Sequence, residues 1–391
     1  MEQKIAAAAA ANKDYVIELR RHFRMHPELS GAEFETQKRI SQELQKMGIE
    51  AKAIAKTGII AEIKGEKPGP CVALRADIDA LPLADEINAP YRSQRPGVCH
   101  ACGHDGHTAM LLGVAKGLVT LREELPGTIR LLFQPSEEAF PGGAQQMIEA
   151  GALEGVAAII GAHLWQDVPA GCVGVTYGAM MASPDEFKII VQGRGGHGSM
   201  PYQTVDPIHV GAQIVLALRG IVANDLGPKE PAVVSIGLFQ AGEVFNVIPD
   251  TALLRGTVRS FSQTVREKVF ARIEQICAGL CAAAGAGYRL EPIYGFPPVI
   301  NDPAIAAVLA DSARQVVAAQ KVLEIDPVMG GEDFSCYQAI VPGAFVFIGS
   351  GNPDKGICHP HHHPKFEIDE DVLPIGVEVL SRTALRLLTR K

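Results

Sequence analysis

The apolar positions in the first half of the chain change spacing several times. Residues 13–48 show the spacing of helices on either side of a turn at 27–31, and 105–121 shows it again. Short, almost wholly apolar runs predict buried strands at 58–63, 71–76, 128–133 and 157–162. Strands that alternate with helices predict an open α/β sheet.

Polar side chains follow three of these predicted strands. Asp77 comes directly after the second, Glu137-Glu138 come shortly after the third, and His163 closes the fourth. Because ligands of open α/β sheets bind beyond the carboxyl ends of the strands, we expect these side chains to meet in space.

The rhythm changes after residue 184. Strand-like runs at 187–191, 232–238, 252–258 and 288–293 enclose helical runs at 206–222 and 265–284. This order, βαββαβ, predicts a ferredoxin-like unit. We therefore expect a first domain of α/β fold with an open mixed sheet, formed by 1–183 and 296–391, and an inserted second domain at 184–295.

Composition narrows the function classes. With 47% hydrophobic and 20% charged residues, the 391-residue chain has the composition of a globular protein. The net charge of -8 and the scattered basic residues argue against nucleic acid as a partner. The run Ala6–Ala11 lacks a Leu-rich signal core, and we find no membrane span of roughly 18 uninterrupted apolar residues, so we expect a cytoplasmic protein with no membrane partner.

The segment Cys99–His107 carries the strongest chemical signal. Its nine residues hold two cysteines, three histidines and an aspartate, the side chains that bind zinc and similar divalent metals. A redox pair of Cys99 and Cys102 is the alternative, but it leaves the three histidines unexplained. The eight cysteines of the chain form no spaced disulfide framework, and several lie in apolar runs typical of buried free thiols.

Residues elsewhere in the chain also suit a metal site, although each has a second interpretation. Glu138 suits a metal ligand and Glu137 a general base, although two adjacent acidic residues often form a solvated loop. His163 is either a ligand or a hydrogen-bonded core histidine. One residue among His361, His362 and His363 is a ligand by this reasoning, which does not select among them.

The glycine-rich segment 193–199 follows the first strand of the second domain. It lacks the Gly-Lys-Ser/Thr ending of a phosphate-binding P-loop. His197 on this turn fits a donor to a developing oxyanion instead.

Taken in order, several motifs resemble the M20 metallopeptidases over nearly the whole chain. Within that family, the motifs resemble the amidohydrolase branch, which comprises hippurate hydrolases, N-acyl-amino-acid deacylases and auxin-conjugate hydrolases. The motifs are His26–Ser30, Leu74–Pro82, His100–His107, Gln134–Glu138, Gly161–His163, Gly195–His197, Asn246–Pro249, Gly256–Arg259, Gly330–Phe334 and His362–Phe366.

The resemblance implies a site for two divalent metal ions, zinc or manganese, with cobalt as a further alternative. The implied ligands are Cys102, His104, Glu138, His163 and His362, the last because it stands two residues before Pro364. Glu137 is the implied base, and Asp77 would orient a ligand. Arg75 stands where other branches carry a metal-binding histidine, which favours the cysteine-containing site.

The same resemblance implies that 1–183 and 296–391 form the catalytic metal-binding domain and that 184–295 is a lid and dimerisation domain. It implies a homodimer in which His197 serves the partner's site, with Asn246 and Arg259 binding the substrate. The expected activity is hydrolysis of N-acyl amino acids. The alternatives are a dipeptidase or carboxypeptidase acting on short peptides at the same site and, from another class, a metal-storing or redox protein.

Overall fold

The computed structural model describes residues 1–390; Lys391 lies outside the described part. The helices are α1 (Glu2–Ala11), α2 (Lys13–Met25), α3 (Phe34–Lys46), α4 (His104–Val119), α5 (Gly143–Glu149), α6 (Pro207–Asn224), α7 (Gln263–Ala284), α8 (Pro303–Ala313), α9 (Phe334–Gln338) and α10 (Leu373–Thr389). The strands are β1 (Ala51–Ile54), β2 (Gly58–Lys64), β3 (Lys67–Asp77), β4 (Pro126–Gln134), β5 (Val156–Pro169), β6 (Val173–Val175), β7 (Ala179–Met181), β8 (Ser183–Gln192), β9 (Gly196–His197), β10 (Ala232–Ala241), β11 (Val247–Ile248), β12 (Thr251–Ser260), β13 (Gly287–Ile293), β14 (Val299–Ile300), β15 (Val322–Glu324) and β16 (Gly343–Gly351).

The chain forms two compact units. Unit 1 comprises Met1–Gly178, Ile300–Asp326 and Asp333–Lys391, and unit 2 comprises Ala179–Val299 and Pro327–Glu332. The predicted second domain, 184–295, lies within unit 2. The added segment 327–332 joins unit 2 because its backbone bonds to the strand at 179–181 and to Ala182.

Unit 1 is built on a mixed sheet. Within residues 1–390 this sheet has eight strands in the order β1-β2-β4-β3-β5-β16-β6-β15. Strand β3 is parallel to both β4 and β5, and β5 is parallel to β16, so the carboxyl ends of these central strands share one edge. Helix α4 is buried along almost its whole length against this sheet and α2, which explains its nearly continuous apolar sequence.

One predicted strand end is wrong. The sequence places the end of the fourth strand at His163, but β5 continues to Pro169 because its last residues pair with β16, with Leu164 opposite Ile348. The pairing of β5 with β3 ends at Gly161. His163 therefore lies where β5 has lost one neighbouring strand and its side chain is open to the site.

Unit 2 has the predicted βαββαβ order in β8-α6-β10-β12-α7-β13, with a short ribbon of β9 and β11 added. The sheet order is β10-β12-β8-β13, all antiparallel, as in a ferredoxin-like fold. Asp206 and Ser262 cap the two helices through side-chain oxygens that accept backbone N–H bonds. The fold class is thus confirmed.

Helix α6 packs on this sheet through Val210, Ile214, Leu218 and Ile221. Among the described residues it is the one helix long and apolar enough to cross a membrane, with a mean hydropathy of 1.2 and 33% of the window buried. Buried residues at helical spacing are typical of a core helix, so we read α6 as part of the unit 2 core.

Candidate metal centre

The Cys99–His107 segment is held in place at both ends. Cys99 exchanges two backbone hydrogen bonds with Leu81, at 3.0 and 3.1 Å. Gly103 then turns the chain with φ +90°, a conformation that favours glycine, and α4 begins at His104. As a result Cys102 and His104, on either side of this turn, both face the carboxyl edge of the sheet.

The imidazole of His104 is oriented by the backbone of Asp79. Its Nδ1 lies 3.0 Å from the Asp79 carbonyl oxygen and donates to it, so Nε2 is left unprotonated in the neutral ring. His163 is arranged in the same way, with Nδ1 donating to the Leu164 carbonyl at 2.9 Å. The His163 Nε2 then points to Cys102 Sγ at 3.5 Å. The three ligand atoms of Cys102, His104 and His163 lie within 4.8 Å of one another.

A second triad shares the cysteine. The ligand atoms of Cys102, Glu138 and His362 also lie within 4.8 Å of one another, and Glu138 Oε1 is 3.2 Å from His362 Nε2. The Asp79 carboxylate accepts the backbone N–H of Glu138 at 3.0 Å, which fixes the loop after β4. His362 has φ +63°, a strained conformation for a non-glycine residue, and its N–H donates to Ala101.

The structure separates the three adjacent histidines that the sequence left open. His361 Nε2 donates to the Leu164 carbonyl at 2.9 Å, and His363 Nδ1 accepts the N–H of Lys365 at 3.0 Å. His362 is the one whose ring nitrogen joins the convergent group. This placement agrees with the choice that the family motif implies.

One buried atom of this group, His104 Nε2, has no hydrogen-bond partner within residues 1–390. It faces Glu138 Oε1 at 3.9 Å. A buried polar atom without a partner costs free energy, and a cation between these atoms removes that cost. Thiolate, imidazole and carboxylate ligands suit zinc, manganese or cobalt, so the residues fit the divalent metals that the resemblance implies.

The electrostatics also favour a cation. Burial opposes a charge on His104, but Asp77 and the other nearby carboxylates outweigh it and raise the pKa of His104 to about 10. Burial, followed by Glu138, holds the pKa of the Cys102 thiol well above its usual range. Both groups therefore keep protons in the metal-free chain, and metal binding must displace them.

Glu137 lies beside the two triads. One of its carboxylate oxygens is within 4.8 Å of a His104 ring nitrogen and of a Glu138 oxygen. A carboxylate at this distance can take a proton from a water held between the ligands. The structure thus brings Glu137, Glu138, Cys102 and His104 together at one edge of the sheet.

Asp77 is the last residue of β3, and its two carboxylate oxygens have different partners. Its Oδ1 accepts from His107 Nδ1 at 2.6 Å, whereas its Oδ2 is 3.7 Å from His104 Nε2 and accepts from Arg75 at 2.7 Å. Burial opposes its charge, but His104, His107 and Arg75 hold its pKa well below the usual range. Asp77 is therefore hydrogen-bonded to His107, while the expected ligand His104 lies near its carboxylate but beyond hydrogen-bond distance.

The remaining predicted residues belong to unit 2. His197 on β9 pairs with Val247 on β11, and Asn246 accepts the N–H of Gly198 at 2.9 Å, so His197 and Asn246 share one ribbon. Arg259 lies on β12, where its guanidinium donates to the Val258 and Asp185 carbonyls. The structure brings His197 and Asn246 together and places Arg259 on a different strand.

Sequence reasoning missed several supporting groups. Asp79 binds His104 through its carbonyl and the Glu138 loop through its carboxylate, and the pattern Asp77-Ile78-Asp79 at a strand end was the available signal. The roles of His107 and the Leu164 backbone had no such signal, because they depend on which atoms meet across strands.

Comparison with known proteins identifies the family. The model of peptidase family M20/M25/M40 matches residues 73–386. The N-acyl-L-amino acid amidohydrolase of Geobacillus stearothermophilus is 48% identical over 290 residues, covering 74% of this chain and 78% of that protein. Thermostable carboxypeptidase 1 of Saccharolobus solfataricus is 41% identical over 93% of each chain.

A solved structure agrees over the whole fold. The Bacillus subtilis YXEP protein, described as a dinuclear metal-binding peptidase of the M20 family, superposes with a TM-score of 0.86 at 38% identity. The match covers 97% of this chain and 99% of that one. This chain therefore belongs to the M20 peptidase family and is a metallohydrolase of its amidohydrolase branch that acts on amide bonds.

Proposed function

We propose that the protein hydrolyses the amide bond of N-acyl amino acids, of N-acetyl or N-benzoyl type, to a free amino acid and a carboxylate. One observation carries the proposal: a general base lies beside a convergent set of metal ligands, comprising Glu137 with Cys102, His104, Glu138, His163 and His362. The name of the Geobacillus relative supports the substrate class.

Two divalent ions, zinc or manganese with cobalt as an alternative, fit the two triads. Cys102, His104 and His163 would hold one ion, and Cys102, Glu138 and His362 the other, with the thiolate shared. When bound, the ions supply Lewis acidity that polarises the substrate carbonyl and lowers the pKa of the attacking water.

Glu137 performs the proton transfers. Its carboxylate accepts a proton from the attacking water and returns it to the leaving amine, so that one group serves as base and then as acid. Glu138 cannot share this task, because its Oε1 faces the ring nitrogens of His104 and His362. The adjacent glutamates thus divide binding and proton transfer between them.

His197 stabilises the oxyanion as the attack proceeds. Its Nδ1 accepts the backbone N–H of Ser199 at 3.1 Å, so the proton of the neutral ring resides on Nε2, where it is free to be donated. We propose that it acts in the site of a partner subunit, and that Asn246 and Arg259 bind the substrate's backbone or carboxylate.

A homodimer through unit 2 agrees with its surface. Strand β10 is an edge of the four-stranded sheet, and Phe239 on that strand packs against Gly211 of α6. Leu216 on α6 is 74% exposed and Phe245 is fully exposed, an unusual display of large apolar side chains. We expect Leu216→Lys to produce monomers in sedimentation, while Ile340→Lys, an exposed apolar position of unit 1, leaves the dimer intact.

A carboxypeptidase or dipeptidase activity on short peptides is the second candidate, favoured by the Saccharolobus relative's name. It would use the same ligands with a different acyl pocket. A redox role for Cys99 is opposed by burial, which raises the pKa of its thiol to about 12 and keeps it protonated at neutral pH.

The test measures amine release from N-acetyl and N-benzoyl amino acids and from dipeptides, using metal-stripped protein reloaded with zinc, manganese or cobalt. Glu137→Gln removes the base, and Glu149→Gln on the exposed face of α5 is the matched control. We expect metal-dependent release that Glu137→Gln loses and Glu149→Gln keeps.

Faster cleavage of dipeptides would favour the second candidate. No cleavage with any metal, despite binding, would refute both hydrolytic functions. We also propose a cytoplasmic location, which cell fractionation tests.

A further inference from the structure

His107 lies in the metal-binding segment, yet both of its ring nitrogens are already engaged. The side chain is buried, Nδ1 lies 2.6 Å from Asp77 Oδ1, and Nε2 lies 2.8 Å from the Leu164 backbone nitrogen. A backbone amide only donates, so Nε2 must be the acceptor and Nδ1 must carry the proton given to Asp77. No lone pair of His107 is left for a metal.

The hydrogen bond from Leu164 acts next to a metal ligand. The N–H that His107 accepts belongs to the peptide group joining His163 to Leu164. The Leu164 carbonyl in turn accepts from His163 Nδ1 and from His361 Nε2, both at 2.9 Å. The backbone around His163 is therefore held from two sides, and its ring is tied to that same backbone.

Ring packing restricts His163 further. The centroids of the His107 and His163 rings are 4.5 Å apart with an interplanar angle of 67°, and the Trp165 ring is 5.3 Å from His163. His361 stands 5.3 Å from the same ring. A rotation of the His163 imidazole away from Cys102 would have to displace one of these neighbours.

Asp77, which accepts the hydrogen bond from His107, is itself held in a buried ionic network. Asp77 Oδ2 accepts from Arg75 at 2.7 Å, and the same guanidinium donates to Gln134 Oε1 at 2.8 Å and to Asp333 Oδ1 at 2.7 Å. The side chains of Arg75, Asp77 and Asp333 have no exposed area. Such a fully paired ionic network has little freedom to move.

We propose that His107 is a positioning residue, not a metal ligand, and that it transmits the fixed position of Asp77 through the Leu164 backbone to His163. The inference rests on the proposed two-metal function. It assigns the influence of Asp77 to the Cys102–His104–His163 triad alone, since His107 has no contact that reaches Glu138 or His362 within the described residues.

Two substitutions of His107 separate the two hydrogen bonds that its ring makes. His107→Asn keeps a donor near the Nδ1 position for Asp77 and loses the acceptor for Leu164, whereas His107→Gln keeps an acceptor near Nε2 and loses the donor. His26→Asn and His26→Gln are the matched controls, because His26 is a partly exposed histidine just after α2.

The measurement is a cobalt titration of metal-free protein against a competing chelator. Trp165, the single tryptophan, lies beside His163 and should be quenched as the neighbouring ion binds. We expect His107→Asn to weaken one of the two equivalents about 10–100-fold, the usual effect of losing a partner that orients a ligand. The other equivalent should bind as in the wild type, and His107→Gln should lose less.

Double-mutant cycles of His107 with His163 and with Asp77 test whether the effect of His107 passes through these two residues. In a His163→Ala background, His107→Asn should cause no further loss of affinity, and Asp77→Asn with His107→Asn should lose no more than the larger single effect. Losses that multiply, equal weakening of both equivalents, or unchanged binding of both would overturn the inference.

A further variant keeps the inference testable if the His107 variants do not fold. His361→Phe removes the second donor to the Leu164 carbonyl and keeps the ring contacts with Trp165 and Phe366. It should weaken the same single equivalent, and unchanged binding of both would count against the mechanism.

Failure of the proposed function looks different. Wild-type protein would then bind fewer than two ions or cleave no amide, whereas failure of this inference alone leaves both properties intact and His107 without effect.

Discussion

Arg24 joins two loops of the candidate metal centre in the interior of unit 1. Its guanidinium is fully buried and makes two bonds of 2.9 Å to Asp85, whose side chain is also buried. It donates as well to the His100 carbonyl at 2.6 Å and the Phe366 carbonyl at 2.9 Å. These carbonyls flank the loops that carry Cys102 and His362, so Arg24→Met tests how these loops are held.

The expected loss of stability of Arg24→Met follows from the buried charge that remains unpaired. Asp85 keeps only backbone donors, from Ser93 at 3.0 Å and Ile87 at 3.3 Å, so its buried charge loses its countercharge. Removing one partner of a buried ion pair typically costs about 3–5 kcal/mol. Replacing both in Arg24→Met/Asp85→Leu should recover about 1–3 kcal/mol, since no charge is then left unpaired.

The assay is urea unfolding of metal-free protein, followed by the fluorescence of Trp165. This single tryptophan stacks on Phe347 at 4.2 Å in unit 1 and so reports that unit. Arg314→Met is the control, because its pair with Asp311 is exposed and should contribute less than about 1 kcal/mol. A cost below about 1 kcal/mol for Arg24→Met, or no recovery in the double variant, would show that Arg24 and Asp85 do not act as a coupled buried pair.

Three further outcomes are expected. Cys102→Ala should weaken both metal equivalents in a chelator titration, because the two triads share its thiolate. Leu218→Ala should destabilise unit 2 by about 2–5 kcal/mol in calorimetry, as the truncation of a buried leucine does. Hydrogen bonds from Lys13 and then Lys355 lower the pKa of Asp371 from 3.8 to about 2, so the stabilisation they give is present above about pH 4 and is lost as the pH falls through that interval. The stability difference between wild type and Lys13→Gln should shrink over that range in acid unfolding; because the pair is exposed, we expect less than about 1 kcal/mol at neutral pH.

Periodicity was sufficient for the fold class but not for every strand. Apolar runs separated by helices located β2, β3, β4 and β5, four of the eight strands of the unit 1 sheet, and the βαββαβ order located the main elements of unit 2. The predicted end of β5 was wrong because its last residues pair with β16, where Leu164 lies opposite Ile348, 184 positions later in the chain. Long-range pairing of this kind leaves no trace in local apolar spacing.

The convergence of ligands was foreseeable to the extent that residue type determines chemistry. The segment around Cys102 and the glutamates after β4 were recognisable, and the structure brings their atoms together. The choice of His362 among three adjacent histidines needed either the family motif or the hydrogen bonds that engage His361 and His363. The link through His107 required atomic contacts between α4 and β5, which no sequence pattern expresses.

The proposed hydrolytic site combines two ions with the base Glu137. The decisive experiment measures bound metal per chain together with amine release from an N-acetyl amino acid, in wild type and in Glu137→Gln. We expect two ions in both proteins and release in the wild type alone. Release at the wild-type rate by Glu137→Gln, or undiminished release by protein that holds no metal, would contradict it.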